Sequence, residues 1–160
     1  MKSFAPATLL LLSALFLIPG LGGKNSPGQG DEVMHLLTVQ SSLEARSYLI
    51  PVIDGQPNYY KPPLLFWSAM ATESIFGEGL MGGRMSSVIF TAASALLVYF
   101  ILLYARADWR VAFGSALAYV LTVGVMKFAR LLMMEQGMAF ALLLIVLCLV
   151  AQIQTGKLRY

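Results

Sequence analysis

Residues 85–104 read MSSVIFTAASALLVYFILLY, twenty consecutive positions without a charged side chain. Rising 1.5 Å per residue, an α-helix of this length spans the ~30 Å hydrocarbon core of a bilayer. Inside lipid a helix also satisfies its own backbone amides, which an isolated strand cannot do. Three further runs share the property, at residues 4–23, 111–126 and 137–153. The third run is the shortest, and it needs Trp109 and its flanks to reach across. The chain is 58% hydrophobic and 12% charged, where a soluble domain carries about a quarter charged residues. The sequence therefore predicts an all-α integral membrane protein. It forms a single domain over residues 1–160 with about four transmembrane helices.

Charge placement then orients the chain. Lys2, Arg106, Arg110, Lys157 and Arg159 fall at helix ends that share one side, accompanied by a single acid, Asp108. The other side holds Asp31, Glu32, Glu44, Asp54, Glu73, Glu78 and Glu135 with the remaining basic residues. An excess of lysine and arginine marks the cytoplasmic side, so the termini and the 106–110 turn are expected inside and the loops 24–84 and 127–135 outside. The first run, after Lys2, reads as an uncleaved helix. It is long for the apolar part of a signal peptide and lacks a small-residue cleavage site. The net charge of +3 is scattered and forms no basic face, which argues against nucleic acid as a partner. Channel and transporter readings are disfavoured, because no run contains a charge or a mid-helix break. Cys148, alone of its kind, excludes an intrachain disulfide.

Loop 24–84 is where water and chemistry can meet. Residues 24–30 form a turn-rich connector. Asp31 then stands where a helix N-cap belongs. Val33, Leu36, Leu37 and Leu43 recur at helical spacing over 32–46, an amphipathic helix expected to lie along the membrane surface. A carboxylate at a helix start is held near free backbone N–H groups, so Asp31 is a candidate either for chemistry or for simple capping. Residues 48–60 read as extended, with a turn at Asp54-Gly55. Lys61 precedes Pro62-Pro63 and a short helix over 64–76 that ends at Gly77. A lysine beside a helix N-terminus is suited to a phosphate. Arg84 closes the loop, Arg130 lies in the second outer loop, and Glu135 opens the last helix at a depth where an ionisable group needs a reason to be. Trp67, Tyr59 and Tyr60 read as interface anchors. His35 could join a metal site but lacks clustered partners.

Taken together, Gly30-Asp31-Glu32, Ile50-Pro51, Asp54-Gly55-Gln56-Pro57, Tyr60-Lys61-Pro62-Pro63-Leu64, Trp67, Phe76-Gly77 and Arg84 resemble the N-terminal part of the GT-C membrane glycosyltransferases. Similarity is closest to the bacterial aminoarabinose transferases and protein O-mannosyltransferase-like enzymes, over roughly residues 19–152. The resemblance implies transfer of a sugar from a polyprenyl-phosphate carrier to a lipid, glycan or protein acceptor. The reaction would run at the outer face of a bacterial inner membrane, among membrane lipids. It puts Asp31 on the acidic residue that orients or deprotonates the acceptor, Glu32 on its neighbour, and Glu135 on a second carboxylate that is usually aspartate. Lys61 falls on the lysine that contacts the donor phosphate, with Tyr60, Arg84 and Arg130 as further substrate-binding candidates. Tyr60 replaces a glutamate that helps hold a metal in the aminoarabinose transferases, and His35 stands where a tyrosine is common. No cofactor is certain; a divalent metal stays open. Family members carry many more helices and an outer-face domain. The chain is accordingly expected to be a fragment, a truncated product or a subunit, with an inactive remnant or assembly partner as the alternative.

Overall fold

The computed structural model describes residues 4–23 and 30–155. The connector at 24–29 and the terminal basic residues Lys2, Lys157 and Arg159 lie outside the described residues. In chain order the elements are α1 (Ala5–Leu17), α2 (Gly30–Glu44), β1 (Val52–Ile53), β2 (Gln56–Pro57) and α3 (Pro63–Phe76). They are followed by α4 (Leu80–Tyr104), α5 (Trp109–Leu121), α6 (Val123–Ala129) and α7 (Glu135–Thr155). The architecture is that of an all-α membrane protein, with one small two-stranded hairpin around the turn expected at Asp54-Gly55.

Helix α4 is the axis, packing against α1, α3, α5, α6 and α7 and touching α2. Its sequence explains this. Gly82, Gly83, Ser86, Ser87, Thr91, Ser94 and Ala95 are all buried, and small residues let neighbouring backbones approach closely where lipid supplies no hydrophobic drive between helices. Around its far half lies one apolar core, with Leu9 and Leu17 from α1 and Ala112, Ala116 and Val120 from α5. A second core joins Leu36 and Val39 of α2 to Leu65, Phe66, Ala69 and Met70 of α3 and to Leu132.

Helices α4 and α7 are each long and apolar enough to cross a membrane. Helices α5 and α6 satisfy the same test only as a pair bent by 62°. Two to three spans are therefore defined where four apolar runs were expected. The run at 4–23 yields only the 13-residue α1: Ile18 still keeps helical geometry as its C-cap, but Pro19 has no amide N–H to donate for the next rung. Gly20 then turns the chain at φ 72°. The run at 111–126 breaks at Thr122, whose backbone is extended while its hydroxyl donates to the Ala118 carbonyl at 2.9 Å. Such back-bonding competes with the helix ladder. Lys127 consequently lies in the last turn of α6 rather than in a loop.

Two boundaries near the polar end also shift. Helix α4 starts at Leu80 and takes in Arg84, which the sequence left in the loop. Helix α2 starts at Gly30, so Asp31 sits in its first turn and is not its N-cap. The buried face of α2 is Glu32, His35, Leu36, Thr38, Val39 and Ser42, whereas Val33 and Leu37 face outward. Of the expected stripe Leu36 is buried and Leu43 packs beside it, and the rest of the buried face can be polar because neighbouring protein supplies hydrogen-bonding partners. The hairpin behaves as its sequence demands. Asp54 (φ 49°) and Gly55 (φ 74°) both occupy the left-handed region that a two-residue turn requires, with Val52 opposite Pro57. Helix α3 begins at a proline and stops at Gly77 (φ 93°), as expected.

Candidate active site at the polar end of the helices

Three segments far apart in sequence converge on the first turn of α2. Its Asp31 carboxylate lies 3.6 Å from the Lys61 ammonium, which is drawn in from the residue before Pro62-Pro63. Both groups retain access to solvent, Asp31 more than Lys61. The next residue behaves differently. Glu32 is fully buried, and its two oxygens receive a fork from Arg84, Nε at 2.7 Å and Nη2 at 2.9 Å. Oε1 of Glu32 also accepts the Leu132 amide at 2.9 Å. The third Arg84 nitrogen, Nη1, donates to the Leu21 carbonyl at 2.9 Å. One turn further along α2, His35 Nδ1 donates to the Leu132 carbonyl at 2.8 Å, an acceptor that fixes the proton on Nδ1.

Adjacent residues thus take opposite roles. Asp31 is an exposed anion beside a partly buried cation, and at 3.6 Å the pair is loosely held. Glu32 is the centre of a buried, bidentate, charge-assisted cluster, which is strong and geometrically exacting. The cluster ties the end of α1, the start of α4 and the turn before α7 to one turn of α2. Arg130 makes a parallel tie: it donates to the Pro19 carbonyl at 2.8 Å and, more loosely, to those of Phe16 and Leu17. Those are carbonyls at the end of α1 that the helix itself cannot satisfy.

The Lys61 segment is held by residues that sequence reading passed over. Asn58, buried, donates from Nδ2 to Thr38 Oγ1 at 2.9 Å and accepts the Tyr60 amide at 3.0 Å. Ser42 Oγ accepts the Val52 amide at 2.9 Å, docking the hairpin on α2. The visible signal was the asparagine before Tyr59-Tyr60, since asparagine side chains commonly bond the backbone two residues on. The Tyr60 ring itself is exposed, as is Tyr59; Trp67 is partly so, with its indole donating to the Leu49 carbonyl at 3.2 Å.

Glu135 opens α7, as read from sequence, and its Oε2 is buried with no hydrogen-bond partner among the described residues. Between the start of α3 and the start of α7 lies an apolar cleft of about 120 Å³. Pro62, Leu65, Phe90, Met134, Gly137 and Ala141 line it. Pro62 follows Lys61 and Met134 precedes Glu135, so the cleft is bordered by the neighbours of both ionisable candidates. Among the described residues no three His, Cys, Asp or Glu side chains gather as metal ligands do. Glu32 is committed to Arg84, and Asp31 faces Lys61.

Fold and site together define a helical membrane protein with a cluster of paired ionisable residues at one end, beside an apolar cleft. Residues 51–158 match the sequence profile of the family described as dolichyl-phosphate-mannose-protein mannosyltransferase. The chain belongs to that family, a member of the GT-C glycosyltransferases that its motifs resemble. It is 33% identical over 115 residues to an undecaprenyl phosphate-alpha-4-amino-4-deoxy-L-arabinose arabinosyl transferase of Pseudomonas savastanoi pv. phaseolicola, covering 69% of this chain and 21% of that protein. A transferase of the same description from Pseudomonas paraeruginosa is 35% identical over 80 residues, or 50% of this chain and 14% of the relative. A third, from Pseudomonas fluorescens, is 30% identical over 90 residues, 56% and 15% respectively. The matches span about a fifth or less of the length of these curated relatives. No solved structure matches the chain.

Proposed function

We propose that this chain builds the acceptor and phosphate end of a glycosyltransferase that moves a sugar from a polyprenyl-phosphate carrier to a lipid, glycan or protein acceptor. The reaction runs at the outer face of the cell membrane, into which the chain is threaded several times. The observation that carries this reading is the meeting of Asp31 and Lys61, thirty residues apart, beside an apolar cleft. An isoprenoid chain suits such a cleft, and a phosphate at its mouth suits the ammonium of Lys61. When the carrier phosphate arrives, it displaces Asp31 as the partner of Lys61. The freed carboxylate then orients the acceptor nucleophile or takes its proton. Cationic charge on the departing phosphate stabilises the leaving group, and a positioned base adds ~10²–10⁴-fold. Glu135 serves as a second carboxylate from the far side of the cleft. Glu32, Arg84 and Arg130 hold the segments that carry these groups.

The test is sugar transfer by the full-length protein, reconstituted with a polyprenyl-phosphate-sugar donor. Asp31→Asn keeps the size of the side chain and removes the charge. Turnover is expected to fall ~10²-fold or more while the protein remains folded. Asp31 lies in the first turn and is not the N-cap, so the substitution costs the helix start only a small charge–dipole term, ~0.3–1 kcal/mol. Full turnover in Asp31→Asn would remove Asp31 from the chemistry, and no transfer from any such donor by the unaltered protein would reject the reading as a whole.

A further inference from the structure

Glu73, on the side of α3 that meets α4, takes no part in the site described. It is 2% exposed, and neither carboxylate oxygen has a hydrogen-bond partner among the described residues. Across from it α4 presents bare backbone. A Cβ on Gly82 would fall onto the Gly77 carbonyl and within 2.9 Å of the Glu73 Cα. One on Gly83 would come within 3.2 Å of Glu73 Oε1, 2.8 Å of Leu36 and 3.4 Å of Leu132. The two glycines and the carboxyl therefore form a tight α3–α4 contact, walled by leucines where an ionised group has no water.

Few charges can compensate. Glu73 is the only ionisable residue of α3, and Arg84 the only one in the first half of α4, where its guanidinium is occupied by Glu32 and the Leu21 carbonyl. Helix α2 offers Asp31, held toward Lys61, then Glu32, His35 and Glu44, with no cation. On the connecting loop Glu78 adds negative charge, and the Gly79 amide offsets this in part without the geometry of a full hydrogen bond. Burial above all pushes the Glu73 carboxyl from an ordinary 4.5 up to about 7.

We propose that Glu73 is a proton-binding latch between α3 and α4: the neutral carboxyl lets the helices close, and ionisation draws it toward water and parts them. The proton released goes to bulk solvent. Since α3 begins two residues after Lys61, its loosening moves Lys61 relative to Asp31. That consequence rests on the proposed function; the latch does not.

Below 4.5 the group is neutral whether the helices are closed or open, and closure is at its most stable. Stability is lost as pH rises from 4.5 to about 7 and changes no further above that. These two values imply that the α3–α4 opening equilibrium grows roughly 30-fold between about pH 5.5 and about pH 8.5. Hydrogen exchange of the full chain in nanodiscs, corrected for intrinsic rates, is expected to show that increase over residues 63–76. Infrared spectra should show a protonated carboxyl band that vanishes near neutrality and is missing from Glu73→Gln. Glu73→Gln, and Glu73→Met as a second neutral form, should exchange slowly at both pH values. A pH-invariant α3, a carboxyl already ionised at the acid end, or an undiminished response in both variants would overturn the latch. None of these readouts depends on sugar transfer.

Discussion

Replacing Arg84 with methionine tests the buried cluster most directly. Arg84→Met fills the same volume but removes both arms of the fork to Glu32 and the donor to the Leu21 carbonyl. Glu32, at zero exposure, would keep its Leu132 amide bond and lose the Arg84 guanidinium. Stranding one partner of a buried ion pair costs ~3–5 kcal/mol, and an orphaned buried carbonyl adds ~1–3 kcal/mol. Those figures put Arg84→Met at about 4 kcal/mol or more, a large part of any domain's stability. Arg84→Lys keeps the charge without the fork and should cost about half as much. In the double variant Glu32→Met, Arg84→Met no uncompensated charge remains. Its loss should fall short of the summed single losses by ~2–4 kcal/mol. Denaturant unfolding of the full chain in mild detergent, followed by tryptophan emission, supplies all these values. An Arg84→Met loss under about 1 kcal/mol, or simple additivity in the cycle, would refute the claim that this pair organises the site.

Lys61→Ala is expected to weaken binding of a polyprenyl-phosphate donor while moving the unfolding midpoint little, since its partner Asp31 is exposed and the 3.6 Å pair is loose. Donor titration of the full-length protein checks this, and unchanged affinity would take Lys61 out of the phosphate site. Single cysteines placed in the 48–60 hairpin, in a Cys148→Ala background, should react with impermeant thiol reagents in intact cells. Protection there, with labelling of the 106–110 turn, would reverse the orientation drawn from the basic residues.

Much of the architecture was legible because it depends on local chemistry. Charge-free runs marked α4 and α7, Asp54-Gly55 marked the hairpin, and Pro63 and Gly77 bracketed α3. The structure brings Asp31 and Lys61, two candidates chosen separately, within 3.6 Å of each other. Span count was less legible. Hydropathy sums over a window and is blind to a Pro19 stop or to the competing hydroxyl of Thr122.

Sequence by itself determined what dissolves in lipid, where turns fall and which residues can carry charge, since composition, spacing and backbone preference are properties of short segments. Only the tertiary structure decided which charges are available. Asp31 and Glu32 are neighbours with the same functional group, yet the 100° step along a helix aims one at solvent and the other at Arg84, fifty-two residues away. In the sequence Glu73 is a lone acid on a short helix, and it is distinctive only because two glycines of α4 close over it. Burial, pairing and proton affinity arise from long-range packing, and no window of the sequence contains them.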